Sequence, residues 1–184
     1  VVTEESELAV GESNKLEILI VDDSQINREI LAEMLGDEYR IHDAASGKEC
    51  IKLLNQYGTG ISLVLLDIVM PEMDGFEVLD YMAEHHWIED IPVIMISSED
   101  SVSSIRKAYE LGVSDYISRP FDAHVVYQRV FNTIKLYAKQ RRLITLVSDQ
   151  MYERDKNNRM MVSILSQIVE FRNGESGSHV VTIK

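Results

Sequence analysis

The stretch Leu63 to Gly75, LVLLDIVMPEMDG, constrains this chain more than any other. It begins as an apolar run with no polar break, reaches a single carboxylate at Asp67, and then turns through Pro71 and Gly75. A run so short and so apolar predicts a strand buried on both faces, as strands are inside a parallel sheet. A carboxylate at its C-terminal end stands where open α/β sheets gather their chemistry. Taken alone, Asp67 is explained equally well as the residue that merely ends a strand, so the rest of the chain has to decide.

In order, the chain alternates strand and helix. Residues 1–15 are polar and acidic, and are expected to be flexible. Leu16–Val21 reads as the first strand, with Asp22, Asp23 and Ser24 at its end and Ser24 placed to cap a helix over 25–35. A weaker strand at 39–44 precedes a helix over 46–57. The strand 63–66 is followed by a helix over 76–85. The strand PVIMIS, 92–97, leads to a helix over 101–111 that Gly112 closes, and a short strand at 115–117 ends on Ser118, Arg119 and Pro120. Such alternation predicts an α/β fold, a doubly wound five-stranded parallel sheet with helices on both faces.

The fifth helix, starting near Asp122, has no stop signal where a compact domain would end. From Ala123 to Phe171 there is neither proline nor glycine. Val130, Thr133, Tyr137, Gln140, Ile144, Val147, Met151, Arg154, Asn158, Met161, Leu165 and Ile168 recur at spacings of three and four, a seam of heptad type with polar interruptions. One long helix that pairs two copies of the chain is expected; two or three separate helices with a break near Asp155–Asn158 are the alternative.

Charge follows the same division. Residues 1–130 carry 26 acidic side chains against 9 basic, a balance of −17; residues 131–184 carry 5 against 9, a balance of +4. The acidic part argues against direct nucleic-acid binding, and the extension is only weakly basic. The single cysteine, Cys50, excludes an internal disulfide framework and fits a reducing, cytoplasmic setting. No apolar run is long enough to span a membrane and no signal peptide is expected; both ends look like boundaries cut within a longer sequence.

In a parallel sheet the C-terminal ends of the strands lie along one edge. Asp22 and Asp23, Asp67, Ser97 and Arg119 would therefore converge. Three carboxylates together repel one another and persist only beside a cation. Oxygen ligands without histidine or cysteine suit Mg²⁺, which keeps several waters and partners a phosphate. A hydroxyl and a guanidinium are natural donors to phosphoryl oxygens, and a carboxylate in such a site can act as a nucleophile that forms an acyl phosphate.

On these residues, about 16–135 resemble the receiver domain of two-component response regulators. The matching stretches are ILIVDDSQINREIL, LVLLDIVMPEMDGFEVL, PVIMISSED and YELGVSDYISRPF. The separations match as well: 44 residues from Asp23 to Asp67, 30 from Asp67 to Ser97 and 52 from Asp67 to Arg119. The resemblance implies a flavodoxin-like sheet of order 2-1-3-4-5, with a sensor histidine kinase or phosphotransfer protein as partner and Asp67 as phosphoacceptor. It implies that Asp22, Asp23, Asp67 and the backbone carbonyl of Val69 hold Mg²⁺ (or Mn²⁺), with Asp23 binding directly and Asp22 largely through water. Ser97 is the implied switch hydroxyl and Tyr116 the aromatic residue that turns inward with it, while Val69 and Glu99 flank the site and influence how water reaches the phosphoryl group. One position departs from the pattern: Arg119 stands where the family usually has lysine, and the two are not interchangeable. A receiver that works without phosphorylation, as an interaction module, is the competing reading that this departure favours.

Residues 136–170 are expected to be a linker helix. The final residues, 171–184, resemble the opening of an HD-GYP phosphodiesterase domain, whose substrate class is cyclic di-GMP. Asn173-Gly174 reads as a loop, and the resemblance implies that Glu175 and His179, four apart just after it, are the first ligands of a metal pair or triad whose other ligands are missing here.

Overall fold

The computed structural model describes residues 15–177, with side chains described through residue 172. The expected flexible segment therefore falls, but for Lys15, outside the described residues, and so does His179. The strands are β1 (Glu17–Val21), β2 (Arg40–Ala44), β3 (Ile61–Leu66), β4 (Val93–Ser97) and β5 (Asp115–Ser118). The helices are α1 (Gln25–Leu35), α2 (Gly47–Tyr57), α3 (Gly75–Glu84), α4 (Val102–Glu110) and α5 (Ala123–Gly177). All strand pairs are parallel and the sheet order is β2-β1-β3-β4-β5, the doubly wound arrangement expected.

Burial on both faces explains the unbroken apolar run of β3. Leu63 and Leu65 point to one side, where they pack with Ile18, Ile20, Leu31, Leu35, Val126 and Val130, so α1 and the start of α5 cover that face. Val64 and Leu66 point to the other, among Leu54, Val78, Leu79 and Met82, so α2 and α3 cover it, joined by Ala108 of α4. Leu63, Val64 and Leu66 are wholly buried. Truncating one such leucine to alanine costs about 2–5 kcal/mol.

Polar residues set where the helices start. Ser24, Ser46 and Ser101 each accept a hydrogen bond from the backbone N–H three residues on. Asp74 and Glu77 form a reciprocal capping box at the start of α3, with bonds of 2.9 and 2.8 Å. Gly112 follows α4 with φ +100°, a conformation that favours glycine.

Three expectations need correction. β3 begins at Ile61 rather than Leu63, because Ile61 is wholly buried and only Ser62 interrupts the run. A helical turn, Trp87–Asp90, intervenes between α3 and β4. Asn173-Gly174 is not a loop but part of α5, whose helix continues to Gly177.

The chain divides into two units, residues 1–137 and 138–184. In the first, Tyr137 ends the part of α5 that packs on the sheet, its hydroxyl accepting a 3.2 Å hydrogen bond from Ser114. In the second, α5 is one uninterrupted helix through Asp155–Asn158, and residues 138–172 are exposed on every side. Its exposed apolar side chains include Ile144, Val147, Met151, Met161, Leu165 and Ile168.

Candidate functional site

Hydrogen bonds just beyond the strands hold the site together. The Asp67 N–H donates to the Val21 carbonyl at 2.9 Å, which seats the end of β3 beside Asp22. The Asp22 N–H donates to Ala44 O at 3.2 Å, and the Arg119 N–H to Ser97 O at 2.9 Å. Asp22, Asp23 and Asp67 are thereby brought together, each offering a carboxylate oxygen within 4.8 Å of the other two. Asp22 and Asp67 are buried, 1% and 7% exposed, while Asp23 is exposed.

Two like charges in a buried place are costly. Burial and the Asp22 carboxylate push the Asp67 carboxyl above its ordinary range; the Arg119 guanidinium, the Val69 N–H and the Ser97 hydroxyl pull the other way. Hard oxygen donors, one of them exposed to water, with no nitrogen or sulfur ligand in the cluster, fit a divalent cation that keeps part of its hydration.

Each further residue singled out from the sequence has a definite place. Val69 donates its N–H to Asp67 Oδ1 at 3.4 Å and exposes 59% of its surface beside the site. Ser97 is wholly buried and its Oγ accepts the Glu99 N–H at 3.2 Å. Tyr116 lies inward, 7% exposed, its hydroxyl donating to the Glu99 carbonyl. The backbone of Glu99 thus connects Ser97 to Tyr116. Glu99 entered the sequence reading for its side chain alone, so this link was invisible there.

Arg119 pairs with Asp22: its Nη2 donates to Asp22 Oδ2. Three further residues support Asp22; from the sequence Ser24 was read only as a helix cap, and Asn27 and Arg28 were not singled out. Ser24 N–H and Asn27 Nδ2 donate to Asp22 Oδ1 at 2.8 and 3.4 Å, and Arg28 donates to its backbone carbonyl at 2.8 Å while pairing with Asp43. The helix start immediately after Asp22-Asp23 was the available signal, since the Ser24 cap and the first turn of α1 carry the three donors back toward β1. Gly75 was read only as a turn. A Cβ there would lie 2.3 Å from the Asp67 carbonyl oxygen, so a side chain is excluded where α3 crosses the end of β3. The backbone of Glu175 lies in the last turn of α5, while its side chain and all of His179 fall outside the described residues.

The model of the response regulator receiver domain family matches residues 18–131. The chain belongs to that family. The receiver domain of a two-component response regulator is thus the part of the chain that carries the acidic cluster. A Vibrio cholerae protein named "Probable cyclic di-GMP phosphodiesterase" is 33% identical over 181 residues, 95% of this chain but 41% of that protein. The transcriptional regulatory protein SrrA of Staphylococcus aureus is 36% identical over 62% of this chain and 46% of its own length. The chain therefore spans less than half the length of either relative. Among solved structures, the complex of CheX, CheY, BeF3 and Mg²⁺ from Borrelia burgdorferi contains a chain 31% identical, with TM-score 0.60, over 66% of this chain and 91% of that one.

Proposed function

We propose that Asp67 is the phosphoacceptor of a two-component relay. A carboxylate oxygen of Asp67 attacks the phosphorus of a phosphohistidine on a sensor kinase or phosphotransfer protein. The new O–P bond forms as the P–N bond breaks, and the imidazole leaves with the bonding electron pair. Asp22, Asp23, Asp67 and the Val69 carbonyl would hold Mg²⁺ or Mn²⁺, which when bound offsets the charge of the incoming group. Ser97 and Arg119 supply the donors to the phosphoryl oxygens, and Tyr116 follows Ser97 through the Glu99 backbone.

The observation that carries this reading is the convergence of Asp22, Asp23 and Asp67 within 4.8 Å, with Asp67 buried and Ser97 beside it. Exposing the chain to a small phosphodonor with Mg²⁺ and weighing it should show one added phosphoryl group, absent in Asp67→Asn. An unchanged mass, with another receiver labelled in parallel, would sink the reading.

The domain plan proposed is a receiver at 16–135, a linker helix at 136–170 and, from 171, the opening of an HD-GYP output domain. The match to the Vibrio protein over 95% of this chain, well past the receiver, supports an output that hydrolyses cyclic di-GMP. This portion alone would only gain and lose phosphate at Asp67. The exposed apolar seam of residues 144–168 supports a parallel homodimer through the linker. Sedimentation equilibrium should show dimers; a monomer at high concentration would refute the pairing. Among the described residues no helix is long and apolar enough to cross a membrane, and the proposed setting is the cytoplasm.

A further inference from the structure

We infer that Arg154 and Asp155 set the register in which two copies of this chain pair, the guanidinium of Arg154 in each copy meeting the carboxylate of Asp155 in the other. The inference rests on the reading of the linker as a parallel homodimer.

The apolar seam of α5 is interrupted between Met151 and Met161. Ile144, Val147 and Met151 precede the interruption, and Met161, Leu165 and Ile168 follow it. All six are exposed. The same spacing of three and four places Arg154 and Asn158 on the seam between them. Both are therefore carried into any interface that covers their apolar neighbours. A guanidinium taken out of water with no acid beside it is costly. Its own helix offers none. The positions that share a face with Arg154, three and four residues away, hold Gln150, Met151, Asn157 and Asn158. Glu153 and Asp155 are its neighbours in sequence and do not face it. Among the described residues, neither Arg154 nor Asp155 is in an ion pair within the chain.

A second copy supplies the acid in one parallel register. Parallel helices wound in heptads seat each seam residue in a hole formed by four residues of the facing helix. With the two copies level, the hole for Arg154 is formed by Met151, Arg154, Asp155 and Asn158 of the second copy. The Asp155 carboxylate then flanks the guanidinium, and by symmetry the contact is made twice. Two acids offset the repulsion between the two copies of Arg154. Sliding one copy by a heptad sets Arg154 against Val147 and Ser148, or against Met161 and Val162, and neither place holds an acid. An antiparallel pairing about this centre sets Asp155 against Asp155, like charge against like. The apolar residues on either side supply the area to be covered, and they would tolerate several registers. The charged pair selects among them.

The test mixes two altered forms of the full chain. Arg154→Asp makes the pair wholly acidic, and Asp155→Arg makes it wholly basic. In sedimentation equilibrium each alone should dimerise about tenfold more weakly than the unaltered chain, or worse. An equimolar mixture should recover dimers over the unaltered chain's concentration range, because every acid then faces a base. Separately, Val147→Cys in an otherwise unaltered chain should form a disulfide between copies on mild oxidation, since level seam positions lie close enough to bridge. Cys50 is wholly buried and does not compete. Single variants that dimerise as well as the unaltered chain, a mixture no better than its parts, or no disulfide through Val147→Cys overturns the inference and leaves the homodimer standing. An unaltered chain that stays monomeric at high concentration overturns both. The disulfide is read with Arg154 and Asp155 intact, so the test does not depend on the charge variants folding.

Discussion

Replacing Asp67 with asparagine should stabilise the chain in the absence of divalent cations. Asp67 is 7% exposed and faces the Asp22 carboxylate within 4.8 Å. At an effective dielectric of about 20, two unit charges about 5 Å apart repel by roughly 3 kcal/mol. Arg119 offsets part of this, since it lowers the Asp67 carboxyl while burial and Asp22 raise it. A net gain of about 1–2 kcal/mol from removing the charge corresponds to a rise in Tm of about 3–8 °C in a domain of this size. The sign follows from the raised carboxyl. The folded state holds the Asp67 proton more tightly than the unfolded chain does, so ionisation weakens the fold as pH rises through the window between the ordinary carboxylate value and the raised one. Above that window the penalty is complete, and below the ordinary carboxylate range it is absent. Thermal unfolding followed by circular dichroism in chelator should show Asp67→Asn above the parent at neutral pH. The difference should close as pH falls below the carboxylate range, and shrink when Mg²⁺ is added to the parent. A variant that melts at or below the parent at neutral pH in chelator would refute the electrostatic reasoning.

Other outcomes follow from single contacts. Gly75→Ala should cost about 1–3 kcal/mol in urea unfolding, because its Cβ meets the backbone of Asp67 and Ile68 just after β3, which has little freedom to retreat; an unchanged midpoint would contradict the close approach. Val69→Asn should shorten the lifetime of the phosphorylated state, because the exposed valine beside the site has no group to orient water, whereas an amide has. A hydrolysis time course no faster than the parent's would contradict it. Cys50 is wholly buried and its thiol is pushed up to about 12 by burial, so alkylation should fail until the chain unfolds. Modification of the native chain, read by mass, would show that α2 opens more readily than its packing implies.

The sheet and most of the site were legible because the signals were local. β3 announced itself by an apolar run that only a doubly covered strand needs, and Asp67 ended it. The order of strands then put Asp22, Asp23, Ser97 and Arg119 on one edge. What escaped the sequence was pairing across that edge. Arg119 lies 97 residues from Asp22, and no spacing reveals that its guanidinium turns to that carboxylate. The Glu99 link was hidden because backbone groups carry it, and the sequence advertises only side chains. The turn Trp87–Asp90 is too short to show a period. Asn173-Gly174 read as a loop by composition, yet the helix carries through it, since one glycine weakens a long helix without breaking it.

The most direct test of the central claim locates the phosphoryl group itself. The chain is phosphorylated by a small donor with Mg²⁺, the acyl phosphate is reduced with borohydride, and the peptides are sequenced by mass spectrometry. The account predicts homoserine at position 67 and nowhere else, lost when Mg²⁺ is chelated. Reduction at Asp22 or Asp23 in its place, or phosphate retained on Ser97, would contradict it.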